Sequence, residues 1–195
     1  MLRGVKAAWI TVFLQPIGKI NKEVLDYLSR GVEVRIPSSA CVVAEEVLDL
    51  PAWAFDEWRH QYLSPAIMKA LKELHGPKPP DVKVLGVADV DAYVPGLNFV
   101  FGEAEVRGNY AVIYLARLKA SLYGGVDEEL FMERALKEAV HELGHTLGLN
   151  HCHNPTCVMR FSNTIADTDY KTSEFCEVCK AKLLRAIADI AGVES

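Results

Sequence analysis

The most constraining feature of this sequence is the motif HExxHxxGxxH, which occupies residues 141–151. In an α-helix, side chains four positions apart project from the same face, so His141 and His145 can bind one metal ion together. Gly148 predicts the end of that helix, because glycine adopts a positive φ at little cost. The chain can then turn and bring His151 back as a third ligand. The motif therefore predicts a helix, a turn and a three-histidine metal site.

A site with three histidine ligands is typical of catalytic zinc. Three neutral imidazoles leave the ion its double positive charge and leave one coordination position for water. Glu142 lies about 100° around the helix from His141, where its carboxylate can accept a proton from that water without becoming a ligand. We therefore expect peptide-bond hydrolysis with Glu142 as general base and no covalent intermediate. The alternative is that the histidines are ordinary surface or core residues and that Gly148 only ends a helix.

Independent signals predict a helix over the motif. Asp127 is a candidate N-cap after Gly124-Gly125, and Glu128 and Glu129 add negative charge to the first turn. Apolar residues then recur at spacings of four, three and four, at Leu136, Val140, Leu143 and Leu147. This stripe would pack against a sheet, with the metal-binding face beside it.

Four cysteines follow the third histidine, and the last two form a Cys-x-x-Cys pair. Four thiolates favour a closed tetrahedral zinc site, which stabilises a segment with little core of its own. Two disulfides or a redox pair are the alternatives. A five-cysteine chain without a secretory signal is more typical of metal binding, and no βαβ unit surrounds the pair. The fifth cysteine, Cys41, is expected in the core.

The region from Glu138 to Lys180 resembles the archaemetzincins, a branch of the metzincin peptidases. Its run HELGHTLGLNHCHNPTCVM continues the zinc-binding consensus into a four-cysteine set that Cys176-x-x-Cys179 completes. The resemblance implies Met159 as the Met-turn beneath the catalytic site and Glu142 as the base. It implies two zinc ions, one catalytic and held by His141, His145 and His151, the other structural and held by Cys152, Cys157, Cys176 and Cys179. Some metzincins have a tyrosine ligand where this chain has Phe161, so no fifth protein ligand is expected.

Patterns ahead of the motif predict alternating strands and helices. Residues 8–17 are expected to form a strand, residues 21–30 a helix that Gly31 ends, and residues 32–43 a strand interrupted by Pro37. Residues 44–63 hold four aromatic side chains and are predicted to be an inserted segment packed on the domain.

Further helix and strand signals follow this insert. Ser64 is a candidate N-cap, with Pro65 in the first helical position, and Gly76 ends that helix. Residues 82–90 predict a strand. Residues 98–106 and 110–118 predict a hairpin.

The fold class predicted is α/β and metzincin-like. A twisted mixed sheet and the active-site helix would form an N-terminal lobe of about residues 1–148. A small, zinc-stapled, mainly helical lobe of about residues 149–195 would complete one domain, with the site between the lobes. In metzincins an edge strand binds substrate antiparallel to itself, and residues 99–106 are the candidate for it; a plain core hairpin is the alternative.

Beyond Met159, the polar stretch through Lys171 has no periodicity, whereas residues 175–191 have helical spacing with the Cys-x-x-Cys pair in the first turns. Asp167 and Asp169 are expected in a solvated turn, because the remaining ligands of a calcium loop are missing.

Charge and hydropathy restrict the partners. The net charge is −5 and no long basic run occurs, which argues against nucleic acid or an anionic membrane. No apolar stretch reaches the length of a bilayer span. The apolar run after Arg3 and Lys6 lacks a small-residue cleavage site, so it is interpreted as the first strand. We expect a cytoplasmic protein, monomeric by default, that acts on peptide or protein substrates.

Two further questions remain open at this point. A zinc-stabilised peptide-binding protein with little proteolytic activity is the alternative function, although the intact Glu142 favours an enzyme. Both aminopeptidase and endopeptidase action fit the motif. An aminopeptidase would need an acidic group for the free amine, and Glu103 and Glu105 are candidates by position, with ordinary surface charge as the alternative. The adjacency of His151 and Cys152 suggests that the structural zinc fixes the loop carrying the third catalytic ligand.

Overall fold

The computed structural model describes residues 9–119 and 127–192. The eight strands of these ranges are β1 (Ile10–Ile17), β2 (Ser39–Val43), β3 (Phe55–Asp56), β4 (Gln61–Leu63), β5 (Val82–Ala88), β6 (Ala92–Tyr93), β7 (Gly102–Ala104) and β8 (Tyr110–Tyr114). The five α-helices are α1 (Lys22–Arg35), α2 (Ser64–His75), α3 (Glu128–Thr146), α4 (Ile165–Tyr170) and α5 (Glu177–Ile190). The residues before Trp9, including Arg3 and Lys6, and the pair Gly124-Gly125 lie outside the described ranges.

The main sheet is mixed. Its strands lie in the order β2-β1-β5-β8-β7, and every neighbouring pair is parallel except β7 and β8. The inner strands are almost entirely buried, as expected for parallel strands covered on both faces. Strands β3, β4 and β6 form a second, small sheet. The α/β class and the mixed sheet predicted from the sequence are confirmed.

Helices cover both faces of the main sheet and bury two cores. On one face, α1 and α3 pack with apolar residues of β1, β5 and β8 and with apolar residues of the C-terminal segment. On the other face, α2 packs against Val84, Val112 and Tyr114. Strand β7 is an edge strand of the main sheet and contacts α3, so the helix that carries the motif lies beside an edge strand.

The first helix is longer than predicted. Helix α1 continues through Gly31 to Arg35, and β2 begins only at Ser39, so the predicted helix end at Gly31 and the strand from residue 32 are wrong. Gly31 instead permits close packing, since a Cβ there would lie 2.5 Å from Cδ1 of Leu136 in α3. The smallest residue lets two helices approach each other.

The start of α2 also differs from the prediction. Leu63 occupies the N-cap position, and Ser64 is the first helical residue, with its hydroxyl donating to the Glu103 carboxylate. Pro65 is therefore the second helical residue and not the first, whereas Gly76 ends the helix with a φ of 63°, as expected.

Two segments differ in part from the sequence pattern. The insert at residues 44–63 pairs with the domain through the small sheet, but Trp58 is 97% exposed and does not pack. The polar stretch after Met159 contains α4, which begins with a capping box between Thr164 and Asp167. In the described part of the chain, no helix has both the length and the apolarity that crossing a bilayer requires.

Candidate active site

Helix α3 and the turn after it position the three histidines. The side chain of Asp127 accepts a hydrogen bond from the backbone N–H of Leu130, which confirms the predicted N-cap. The helix ends at Thr146, and Gly148 has a φ of 90°, the left-handed conformation that glycine tolerates best. The chain turns there and returns His151 to the other two, so that the nearest ring nitrogens of all three lie within 4.8 Å of one another.

Backbone carbonyls fix the orientation of the two helical imidazoles. Nδ1 of His141 lies 2.8 Å from the carbonyl oxygen of Val158, and Nδ1 of His145 lies 2.7 Å from that of Leu149. Each Nδ1 therefore donates its proton, which leaves the Nε2 lone pair free as a ligand. Burial lowers the pKa of His141 well below its usual value and also lowers the pKa values of His145 and His151, so the rings are neutral at pH 7.

The spacing of these nitrogens fits zinc. The Nε2 atoms of His141 and His145 lie 3.1 Å apart, although each presents a lone pair to the other. Two lone pairs at this distance repel each other unless a cation lies between them. Two nitrogens of a tetrahedral zinc site with Zn–N bonds of about 2.0–2.1 Å lie about 3.3 Å apart. The donor set and its spacing therefore match the ion that the motif predicts.

Glu142 is buried beside the histidines at the edge of the sheet. Its side chain lies against the backbone of β7, where a Cβ on Gly102 would come 2.5 Å from Oε1 of Glu142. Burial raises the pKa of the Glu142 carboxyl well above its usual value, with repulsion from Glu138 and Glu103 adding to the rise and Lys171 opposing it. No described residue donates a hydrogen bond to this carboxylate, which faces a cleft.

Met159 lies beneath the histidine helix, where the resemblance implied a Met-turn. It is fully buried, and a Cβ on Gly144 would lie 2.5 Å from its Sδ atom. Gly144 thus leaves room for the thioether between the positions of His141 and His145. The carbonyl of neighbouring Val158 accepts the His141 hydrogen bond, so the turn also orients one imidazole.

The four cysteines also converge. Their Sγ atoms lie within 4.8 Å of one another, and those of Cys152 and Cys176 are 3.8 Å apart. A tetrahedral zinc site with Zn–S bonds of about 2.3 Å places its sulfurs about 3.8 Å apart, whereas a disulfide requires about 2.05 Å. All five cysteines are free, and the disulfide alternative does not hold in this structure. Burial raises the pKa values of the Cys157 and Cys179 thiols, which a bound cation would oppose by favouring the thiolates. Cys41 is only partly buried on β2, against the prediction of a core position.

A cleft of about 630 Å³ joins the histidines, Glu142 and strand β7. Most of its wall is apolar, formed by residues such as Val94, Leu97, Phe99 and Phe101. Phe161 also lines the cleft and lies with its ring centroid 4.9 Å from that of His151. Glu103 lines the cleft as well, but Glu105 does not, and its carboxylate pairs with Lys72 instead.

Two arginines contact the loop at residues 97–99, which forms part of the cleft wall. The Arg59 guanidinium donates to the carbonyls of Leu97 and Asn98, and the Arg117 guanidinium lies 4.3 Å from the centre of the Phe99 ring. Arg117 is itself held by two hydrogen bonds to Asp91. These contacts hold the part of the cleft wall from Leu97 to Phe99 in place.

The sequence patterns missed a set of buried ion pairs next to the site. Lys171 is fully buried and its Nζ lies 2.9 Å from Oε1 of buried Glu138, which lines the cleft. Buried Arg134 donates twice to Asp169, which is therefore not in the predicted solvated turn. The polarity of residues 160–171 indicated a surface segment, and no local pattern signalled pairing with α3.

The fold and the two ligand sets define a zinc metallopeptidase. The family model for "Peptidase family M54" matches residues 11–185. Archaemetzincin of Methanocaldococcus jannaschii is 44% identical over 88% of this chain and 92% of its own length. The crystal structure of archaemetzincin from Methanopyrus kandleri is 35% identical with a TM-score of 0.79, covering 93% of this chain and 97% of that one.

A second solved structure agrees. Archaemetzincin from Archaeoglobus fulgidus, crystallised as a complex with malonate, is 38% identical with a TM-score of 0.75 and covers 89% of this chain and 99% of that one. The chain therefore belongs to peptidase family M54, together with the archaemetzincins. The resemblance found from the motif alone is confirmed.

Proposed function

We propose that this chain hydrolyses peptide bonds with Glu142 as the general base and with His141, His145 and His151 holding a catalytic zinc ion. The observation that supports this most is the pair of free Nε2 atoms 3.1 Å apart, each oriented by a backbone carbonyl. A zinc ion bound there would supply the positive charge that polarises a substrate carbonyl and makes a water molecule more acidic.

The proton movements then belong to Glu142. Its carboxylate oxygen accepts a proton from the attacking water and passes that proton to the nitrogen of the departing amine. Burial in an apolar wall makes the carboxylate more basic than an exposed one, which suits both transfers. No side-chain nucleophile and no covalent intermediate are needed.

Strand β7 would hold the substrate backbone. Glu103 pairs with Val112 of β8, and the flanking residues Gly102 and Ala104 direct their N–H and C=O groups away from β8. These groups can pair with an extended peptide, which would lie along the cleft above α3. Backbone pairing of this kind gives affinity with little sequence preference.

A second zinc ion held by Cys152, Cys157, Cys176 and Cys179 would have a structural role. Four thiolates fill a tetrahedral site and leave no position for water. We propose that this ion stabilises the C-terminal lobe, from about residue 149, by joining distant parts of that lobe to one another, and that the N-terminal lobe ends at about residue 148. We further propose a cytoplasmic monomer that binds neither nucleic acid nor membranes, in line with the net charge of −5.

The test compares the zinc-loaded protein with its Glu142→Gln variant on a peptide library. We expect the variant to lose at least about 100-fold in kcat while it retains its zinc, because Gln keeps the shape of the side chain but cannot accept the proton. Glu133→Gln, a change on an outer part of the same helix, is the matched control. Equal turnover by wild type and Glu142→Gln would refute the base. Peptide binding without turnover by the wild type would favour the peptide-binding alternative.

A further inference from the structure

Three carboxylates line the cleft, and no lysine or arginine is found among its described lining residues. Glu138 is neutralised by Lys171, and Glu142 is the proposed base. Glu103 is the third, and no described lysine, arginine or histidine forms an ion pair with it. A partly buried carboxylate in a mostly apolar wall is costly without a partner. Its charge therefore requires an explanation.

Buried hydroxyl groups hold Glu103 in place. The hydroxyl of Tyr114 lies 2.6 Å from Oγ of Ser64, and Ser64 in turn donates to Oε2 of Glu103. Ser64 is fully buried and Tyr114 is 1% exposed, so this chain of hydrogen bonds is shielded from water. The other oxygen, Oε1, accepts no hydrogen bond from any residue in the described ranges. The carboxylate is thus oriented and half satisfied.

Glu103 and the proposed base point to different sides of the edge strand. A Cβ on Gly102 would point at Glu142, and successive side chains of a strand project to opposite faces. The Glu103 side chain therefore lies toward α2, away from the histidines, while it still lines the same cleft. A group that Glu103 binds would be part of the peptide but separate from the bond that is cut.

We propose that Glu103 binds a positively charged nitrogen of the substrate, either a free α-amino group or a lysine or arginine side chain. This inference rests on the proposed peptidase function. Apart from a protonated histidine, these are the cations that a peptide carries, and a charge-assisted hydrogen bond to Oε1 would give Glu103 a partner of opposite charge. Strand β7 would align the backbone, while Glu103 selects among the peptides that reach it.

A structural role for Glu103 makes a different prediction. Its carboxylate lies at the N-terminus of α2, where a negative charge stabilises the helix dipole. In that case Glu103→Gln would lower the melting temperature and leave substrate preference unchanged. Glutamine still accepts the Ser64 hydrogen bond, so the variant removes the charge and keeps the shape.

The experiment uses two matched pairs of fluorogenic peptides on the zinc-loaded protein. In the first pair, one peptide has a free N-terminus and the other an acetylated one. In the second pair, both peptides are acetylated, and one carries lysine where the other carries norleucine. We expect wild type to favour the charged member of at least one pair by about tenfold in kcat/KM, and Glu103→Gln to bring this ratio close to one. Glu105→Gln, two residues along and outside the cleft, should keep the wild-type ratio. The pair that responds identifies the cation as the α-amine or a side chain.

A binding measurement separates this inference from the proposed function. Titration calorimetry of the same peptides into the Glu142→Gln variant, with and without Glu103→Gln, needs no turnover. A charge preference that Glu103→Gln removes, and that weakens with added salt, would support the inference even if wild type cut no peptide. Equal ratios in wild type and Glu103→Gln, in turnover or in binding, would overturn it and leave the peptidase proposal intact.

Discussion

Gly144 lies between the two helical histidines, and the absence of its side chain decides how closely the Met159 turn can approach α3. Added to Gly144, a Cβ would lie 2.5 Å from Sδ of Met159 and 3.3 Å from Cε1 of Phe175. All three residues sit in the packed core beneath the site. Met159 follows Val158, whose carbonyl orients His141, and Phe175 follows Glu174, whose carbonyl accepts from the N–H of Val158.

We therefore predict that Gly144→Ala destabilises the protein by about 1–3 kcal/mol, because overpacking forces side chains out of their preferred rotamers. Calorimetric unfolding would measure the change. The cost should shrink when Met159 is replaced by alanine, since the double variant removes the sulfur that the new methyl group meets. An unchanged melting temperature for Gly144→Ala would contradict this account of the turn.

The sequence predicted that the histidines of the motif would converge, but not which groups orient their rings. The spacing of the motif follows from helix geometry, so the convergence of His141 and His145 could be predicted without a structure. The partners of their Nδ1 atoms, the carbonyls of Val158 and Leu149, could not, since every residue carries a carbonyl. Lys171 was missed for a related reason: a lysine in a polar stretch is usually solvated, and only tertiary packing buries it.

Among the elements, the four longer helices could be predicted from the sequence, whereas some of their ends and the short helix α4 could not. Asp127 capped α3 as expected, because a local side chain satisfies the first free N–H groups. Gly31 was misread as a helix end, because a glycine that ends a helix and one that permits close helix packing look identical in sequence. Helix α4 has six residues, too few to show a hydrophobic period.

The turn at residues 152–159 links the three histidines to the four cysteines, and a prediction follows from its contacts. The N–H of Cys152 donates to the carbonyl of Met159, and the carbonyl of Val158 accepts from His141. Loss of the thiolate site should therefore loosen both the His151 loop and one imidazole. We predict that Cys176→Ser lowers the zinc content from two ions to one and weakens zinc retention at the histidines by about tenfold, as loss of outer supporting groups typically does.

Metal analysis and competition with a chelator would measure both effects. Cys41→Ser is the matched control, because Cys41 lies on β2 at the edge of the sheet opposite β7. Chelator resistance at the three histidines that is the same in Cys176→Ser as in the wild type would show that the structural site does not support the catalytic one.

In the whole molecule, the order of strands in the main sheet depends on contacts between residues that are distant in sequence, and so does the packing of the C-terminal segment against α3. The predicted class followed from alternating strands and helices, but strand order and the depth of the cleft come from packing that no local pattern records. The same is true of the join between α3 and the C-terminal segment. Arg134 and Glu138 reach Asp169 and Lys171 across it, and Lys137 donates to the carbonyl of Thr168.

The last prediction concerns the buried Lys171–Glu138 ion pair, which joins the C-terminal segment to α3. Lys171→Met would leave the Glu138 carboxylate buried without its cation, at a cost of about 3–5 kcal/mol in the free energy of unfolding. Chemical denaturation would measure this cost. The double variant Lys171→Met with Glu138→Leu should recover most of it, because two apolar side chains carry no desolvation penalty.

Lys69→Met, which removes an exposed pair with Glu73, should change the free energy of unfolding by less than about 1 kcal/mol. If Lys171→Met costs no more than this control, the buried pair does not hold the C-terminal segment to α3. The packing of Met159 against Gly144 and the Arg134–Asp169 ion pair would then provide that connection, because both also join this segment to the histidine helix.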